Sequence, residues 1–273
     1  GVVVFHARDA RALLRRRPHL RDATLVGIRA DNREPLIADF EVVQNGCFAD
    51  SRRRFFIPFW PQPGLLPRHP GRGTAIARAA FKGFNANLHP DFRSPAWKDF
   101  LAARGIEWQV DSVEFAGAAT DIQGTSWADF RAVDLILAVR PQTGRRWTSK
   151  PASKLYNAWH AGVPALLGPE AAFRELRRSP LDYLEVASRA EAQSAVDRLL
   201  ADPGLYRAMV DNGRARAVDF TAEAILPKWA TLLYETIPPL TKTRSSQLLR
   251  RVPLPLRKTA RRLARLIERR PAR

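Results

Sequence analysis

The residues best placed to do chemistry lie between Lys150 and Glu170, in the run Lys150-Pro-Ala-Ser-Lys-Leu-Tyr-Asn-Ala-Trp-His-Ala-Gly-Val-Pro-Ala-Leu-Leu-Gly-Pro-Glu170. The pattern predicts a loop, a helix over Pro151–His160, a glycine stop at Gly162, a strand and the start of a second helix. Lys150, Ser153 and Lys154 fall at the N-terminal end of the first helix. Backbone N–H groups without helical partners, the helix dipole and lysine ammonium groups all favour an anion there. Gly168-Pro169-Glu170 makes a second tight turn at the C-terminal end of a strand. In open parallel sheets ligands bind outside those strand ends. A diphosphate near Lys150 and Lys154, with a nucleoside at the next turn, fits this chemistry. Arg140, just after an apolar strand, can grip a phosphate bidentately. Gly83 would let backbone approach it closely, with Asn85 and Asn87 just beyond.

Those residues need a scaffold of alternating strands and helices, and the chain supplies one. Strands are expected at Val2–Phe5, Thr24–Arg29, Phe40–Gln44 and Phe55–Phe59, with a helix at Ala10–Arg17. Prolines and glycines then crowd the segment from Trp60 to Gly73, which reads as a connector. A second series follows, with strands at Ala80–Phe84, Glu107–Val110, Leu135–Val139, Val163–Leu167 and Tyr183–Val186. Helices are expected at Pro95–Arg104, Glu170–Arg177, Glu191–Leu200, Pro203–Phe220 and Ala222–Thr236, the last interrupted by Pro227. The fold class expected is α/β: two Rossmann-like lobes with parallel sheets and a basic helical tail. The expected divisions are a partial N-terminal lobe over residues 1–60, a connector over 61–79, a second lobe over 80–238 and a tail over 239–273. Opening on Gly1 and an apolar run, the first lobe reads as truncated.

With 273 residues, 45% hydrophobic and 26% charged, the composition is that of a globular chain and excludes wholesale disorder. Cys47 is the only cysteine, so neither an internal disulfide nor a cysteine-built zinc site can form. No stretch is long and apolar enough to span a membrane. The net charge is +18, and residues 240–273 alone contribute +11 of it, from two Lys and ten Arg against Glu268. Leu256, Ala260, Leu263 and Ile267 make one helical stripe, ringed by Arg257, Lys258, Arg261, Arg262 and Arg265. Such a helix suits an anionic membrane surface. No aromatic residue is interleaved with those arginines, so a stacking nucleic-acid interface is not expected. The expected location is cytoplasmic, peripheral on the inner face of a membrane.

The central stretch resembles the donor-binding segment of GT-B glycosyltransferases of the group 1 type. The matching residues are Pro151, Ser153, Lys154, Leu155, Asn157, Ala158, Ala161, Gly162 and Pro164. Asp202, Pro203, Leu205, Gly213 and Arg214 resemble a later helix of that family, with Phe220 ahead of a closing helix that carries Trp229. The likeness covers residues 80–237. It implies two facing lobes, a nucleotide-sugar donor in the second, an acceptor mainly in the first, and no metal or other cofactor. Two glutamates that many retaining members carry correspond here to Ser149 and Asn157. Asn157 can hydrogen-bond a ribose hydroxyl, and Glu170 or Glu175 can supply a carboxylate. For the acceptor side, His6 follows the first strand and could act as base toward a hydroxyl. Asp31 and Asn45 end the next two strands and could bind acceptor hydroxyls. The expected activity is transfer of a hexosyl or pentosyl group to a glycan or lipid-linked acceptor, as in polysaccharide biosynthesis. The alternatives are a sugar-nucleotide epimerase or hydrolase of the same fold, and a binding subunit without turnover.

Overall fold

A computed structural model of the chain describes residues 1–114, 124–141, 149–242 and 244–268. Contacts divide them into two units. The first comprises residues 1–59, 149–151 and 222–273, and the second residues 60–148 and 152–221.

The first unit is built on four parallel strands in the order β1 (Val2–His6), β2 (Thr24–Ile28), β3 (Phe40–Val43) and β4 (Arg54–Phe56). Because side chains alternate across a strand, neighbouring apolar residues enter different cores. Val26, Phe40 and Val42 pack with Ile57, Ile225, Leu232 and Ile237. Leu25 instead joins Ala23, Ile37 and Leu254, beside Leu13 and Leu14 of helix α1 (Ala10–Arg16). Burial on both faces is why β2 and β3 are mainly apolar, with Glu41 the buried exception in β3. β1 is an edge strand and leaves Val2 and Val4 exposed.

The second unit has five parallel strands in the order β6-β5-β7-β8-β9, from β5 (Arg78–Phe84), β6 (Glu107–Val113), β7 (Leu135–Ala138), β8 (Ala165–Leu167) and β9 (Leu184–Glu185). Its helices are α2 (Pro95–Ala102), α3 (Ser153–Ala161), α4 (Ala171–Leu176), α5 (Arg189–Ala201) and α6 (Pro203–Ala217). Local signals set their ends. Ser94 accepts from Trp97 N–H ahead of Pro95, Ser188 caps α5, and Asp202 caps α6 ahead of Pro203. Gly162, at φ +68°, turns the chain out of α3. β6 lies on one side of β5 and β7 on the other, so the direction of winding reverses between β5 and β7.

The structure divides the chain differently from the sequence reading in two places, and Pro227 lies inside a helix rather than interrupting it. The connector belongs to the second unit. Leu66 bridges Asp129, Arg68 N–H donates to the Ala161 carbonyl at 2.9 Å, and the Arg68 side chain pairs with buried Asp134 at 2.8 Å. The closing segment belongs to the first unit. Helix α7 (Ala222–Ala230) and a π-turn over Thr231–Thr236 lay Ile225 and Leu232 on the first sheet. Helices α8 (Ile237–Thr241), α9 (Arg244–Arg251) and α10 (Leu254–Glu268) continue on the same unit. α10 docks by its charged side. Arg257 is fully buried and donates to the carbonyls of Val252 and Ala23, and Arg261 pairs with Asp39 at 2.6 Å. Leu256 and Leu263, members of the apolar stripe, are more than half exposed.

Candidate functional site

In the second unit the sequence-flagged residues gather at the C-terminal ends of β5, β7 and β8. These ends flank the point where winding reverses, which is where open parallel sheets bind ligands. The centre is Lys154, in the first turn of α3. Its side chain is half-buried, its ammonium donates to the Lys82 carbonyl, and Nζ lies 4.8 Å from the centroid of the Phe81 ring. Burial, helped by the nearby charge of Arg140, pulls its pKa from the ordinary 10.5 down to about 7, against the opposing pull of Glu170. Its charged form is therefore disfavoured, and a nearby negative charge would raise the pKa again. No side chain caps α3, so its first backbone N–H groups and dipole act in the same direction.

Gly83 is matched to this lysine. It sits at φ +148°, and a Cβ there would lie 2.8 Å from Lys154 Nζ. Arg140 follows β7 directly. It pairs with Glu170 through Nη1 and donates from Nε to Asn87 Oδ1 at 3.2 Å. Glu170 is buried at the turn before α4. Ser153 opens α3, and Glu175 lies exposed on α4. Gly83, Arg140, Ser153, Lys154 and Glu170 are thus brought to one end of one sheet.

Asn157 is placed otherwise. It is buried, its Oδ1 accepts from the Gln62 N–H at 3.0 Å, and its Nδ2 donates to Gln62 Oε1 at 3.5 Å. The amide expected to meet a ribose instead ties down the proline-rich connector. Lys150 belongs to a different unit from Lys154. It lies in the first unit, where Nζ pairs with Asp31 Oδ2 at 2.7 Å and its carbonyl accepts from Asn45 Nδ2 at 3.0 Å.

His6, Asp31, Asn45 and Lys150 share the C-terminal end of the first sheet. His6 accepts the Arg8 N–H on Nδ1 at 3.2 Å, and burial together with Arg8 lowers its pKa. A neutral imidazole accepting on Nδ1 carries its proton on Nε2. In this arrangement Nε2 donates, and a base role requires Nδ1 to leave Arg8.

Sequence reasoning passed over Lys82. It is buried on β5, donates to the Ser126 carbonyl at 2.7 Å and lies 3.4 Å from Asp111. A lysine closing the run Ala79-Ala80-Phe81 was the available signal. Burial keeps its pKa low despite Asp111. Trp127 and Trp159 are buried, Trp60 is exposed, and Trp147 lies outside the described residues. Among the described residues no group of three or more His, Cys, Asp or Glu side chains could hold a metal ion.

No protein-family model matches the chain, and no curated protein does. Solved structures do. Sucrose-phosphate synthase from Thermosynechococcus elongatus superposes with a TM-score of 0.58 at 14% identity, over 87% of this chain and 74% of that one. HepE from Anabaena, solved with UDP-glucose, gives 0.57 at 13% identity, over 84% of this chain and 78% of that one. The pneumococcal O-GlcNAc transferase GtfA, solved with UDP and GlcNAc, gives 0.56 at 10% identity, over 87% of this chain and 57% of that one. With two parallel Rossmann-like sheets and these neighbours, the chain has the GT-B glycosyltransferase fold.

Proposed function

We propose that the chain transfers a sugar from a nucleoside diphosphate sugar to an acceptor hydroxyl. The observation that carries this is Lys154: a buried ammonium with its pKa near 7, at the uncapped start of α3, facing the strand ends of a GT-B sheet. Lys154, Arg140 and the first N–H groups of α3 bind the diphosphate. Gly83 leaves it room, and Glu170 holds Arg140 in place. In the reaction the acceptor oxygen bonds to the anomeric carbon and the bond from that carbon to the diphosphate oxygen breaks. The hydroxyl proton passes to a base, and the electron pair leaves with the diphosphate. Fixed positive groups stabilise that developing charge without reorganising. His6, Asp31 and Asn45 are assigned to the acceptor, a glycan or lipid-linked hydroxyl. The presence of UDP and UDP-glucose in the solved neighbours favours a uridine donor.

The test is calorimetric titration with nucleoside diphosphates and their sugars, followed by assay of diphosphate release with candidate acceptors. Saturable binding that Lys154→Ala abolishes supports the assignment, and unchanged binding in that variant defeats it. A binding subunit without turnover is the second reading, favoured by the diversion of Asn157 to Gln62. Its signature is tight UDP binding with no diphosphate release from any UDP-sugar. No helix among the described residues is long and apolar enough to cross a membrane. Peripheral attachment is supported by the outward Leu248, Leu256 and Leu263 on an arginine-rich segment. Co-sedimentation with anionic vesicles, lost in Leu256→Glu/Leu263→Glu, tests it.

A further inference from the structure

The first unit holds a second basic site, at the end of its sheet opposite His6, Asp31 and Asn45. Asp39 and Arg53 immediately precede β3 and β4, so they mark the N-terminal end of the strands. Around them lies a cavity of about 310 Å³, lined by Asp39, Phe40, Arg52, Arg53, Leu240, Thr241, Arg250 and Arg261. We propose that this cavity binds a phosphomonoester, its phosphate held by the guanidinium groups of Arg52, Arg250 and Arg261.

Among the described residues, four guanidinium groups line the cavity against one carboxylate. That carboxylate is already committed: Asp39 Oδ2 accepts from the Leu25 N–H at 2.8 Å, Oδ1 lies 2.6 Å from Arg261, and Arg257 stands 3.6 Å away. Glu34 and Glu41 lie 3.4 and 3.7 Å from Arg53. They hold Arg53, which also donates to the Ala38 and Asp39 carbonyls, and leave Arg52 projecting. Arg250 donates to the Thr241 carbonyl at 2.7 Å and to Thr24 Oγ1 at 3.2 Å.

Arg261 carries the argument furthest. It gives Nη2 to Asp39, while its Nη1 is buried without a hydrogen-bond partner. A buried unsatisfied guanidinium nitrogen is costly and calls for an acceptor. Burial and the charge of Arg53 together lower its pKa to about 10, as a pocket short of negative charge would. Several planar forks around one point suit the many oxygens of a phosphate dianion. The volume exceeds a bare phosphate, and Phe40 and Leu240 supply an apolar wall for what it is attached to. The phosphate could belong to a soluble metabolite or to a lipid headgroup.

The full chain, at constant ionic strength, is titrated by calorimetry with inorganic phosphate and glycerol 3-phosphate. It is also co-sedimented with phosphatidylcholine vesicles with and without phosphatidate. Arg52 is exposed, so Arg52→Glu keeps the fold. The expected result is saturable binding that Arg52→Glu weakens about tenfold or more, that Arg261→Gln also weakens, and that Lys154→Ala leaves intact. Response to the soluble esters alone identifies a metabolite. An Arg52-dependent response to phosphatidate alone identifies a headgroup. Absence of both, or equal binding by Arg52→Glu and the unmodified chain, overturns the proposal.

Discussion

Replacing Lys154 by Met should make the unliganded protein more stable and its donor binding worse. Burial lowers the lysine from 10.5 to about 7. At ~1.4 kcal/mol for each tenfold change, that fall corresponds to ~5 kcal/mol of disfavoured charge. This figure is a ceiling. A Met of similar length keeps the packing on Phe81 but gives up the hydrogen bond to the Lys82 carbonyl, worth ~1 kcal/mol. A net gain of a few kcal/mol remains, and each kcal/mol moves Tm by ~2–4 °C in domains of ~150–250 residues. Losing a charge-assisted contact to the diphosphate should weaken UDP by ~1.5–3 kcal/mol, about tenfold or more. Scanning calorimetry without ligand and titration calorimetry with UDP measure the two effects on one variant. A Tm that falls would show that the buried ammonium is not strained, and unchanged UDP affinity would remove Lys154 from the site. A site that is destabilising until occupied is the expected signature of function.

The same lysine makes UDP binding depend on pH. Its charged form binds, and the free protein loses that form above pH 7, so affinity should fall by up to tenfold per pH unit from about 7.5 to 9, with proton uptake on binding. Flat affinity in titrations using buffers of different ionisation enthalpy would contradict this. Gly83→Ala introduces a side chain at φ +148° beside Nζ and should destabilise by ~1–3 kcal/mol while weakening UDP, as denaturant melts and titration will show. Asp134→Ala strands buried Arg68 and releases Arg72, 2.8 and 2.7 Å from its carboxylate, so urea melts should show a loss of ~3–5 kcal/mol. Burial alone would raise the Asp134 pKa, but bonds from Arg72, Ala77, Arg78 and Arg68 hold it below 3.8. Its contribution is therefore complete above that pH and lost as pH falls through the lower native value. Deleting residues 254–273 removes Leu254 from a core and Arg257 from the Ala23 carbonyl. The expected result is a first unit destabilised by at least ~2 kcal/mol, read from the Tm of the shortened chain.

Strands β2, β3, β5 and β7 were legible in the sequence because burial on both faces demands mainly apolar runs, broken in β3 by Glu41 and in β5 by Lys82. Helices α2, α5 and α6 were legible because Ser94, Ser188, Asp202, Pro95 and Pro203 act within one turn of themselves. The placement of Lys154 in the first turn of a helix that ends in Gly162 was equally local. Partnership was not. Lys150 and Lys154 are four residues apart and fall in different units, since the chain passes from one to the other between Pro151 and Ala152. The contact of Asn157 with the distant Gln62, which meets both ends of its amide, could not be read from local sequence. The stripe in α10 announced two unlike faces, but periodicity cannot say which one docks. That depended on Asp39, more than 200 residues earlier, whose carboxylate makes burial of Arg257 and Arg261 tolerable and turns Leu256 and Leu263 outward. Secondary structure follows from neighbours along the chain. The charge state and partner of a buried side chain follow from neighbours in space, and only the tertiary fold supplies those.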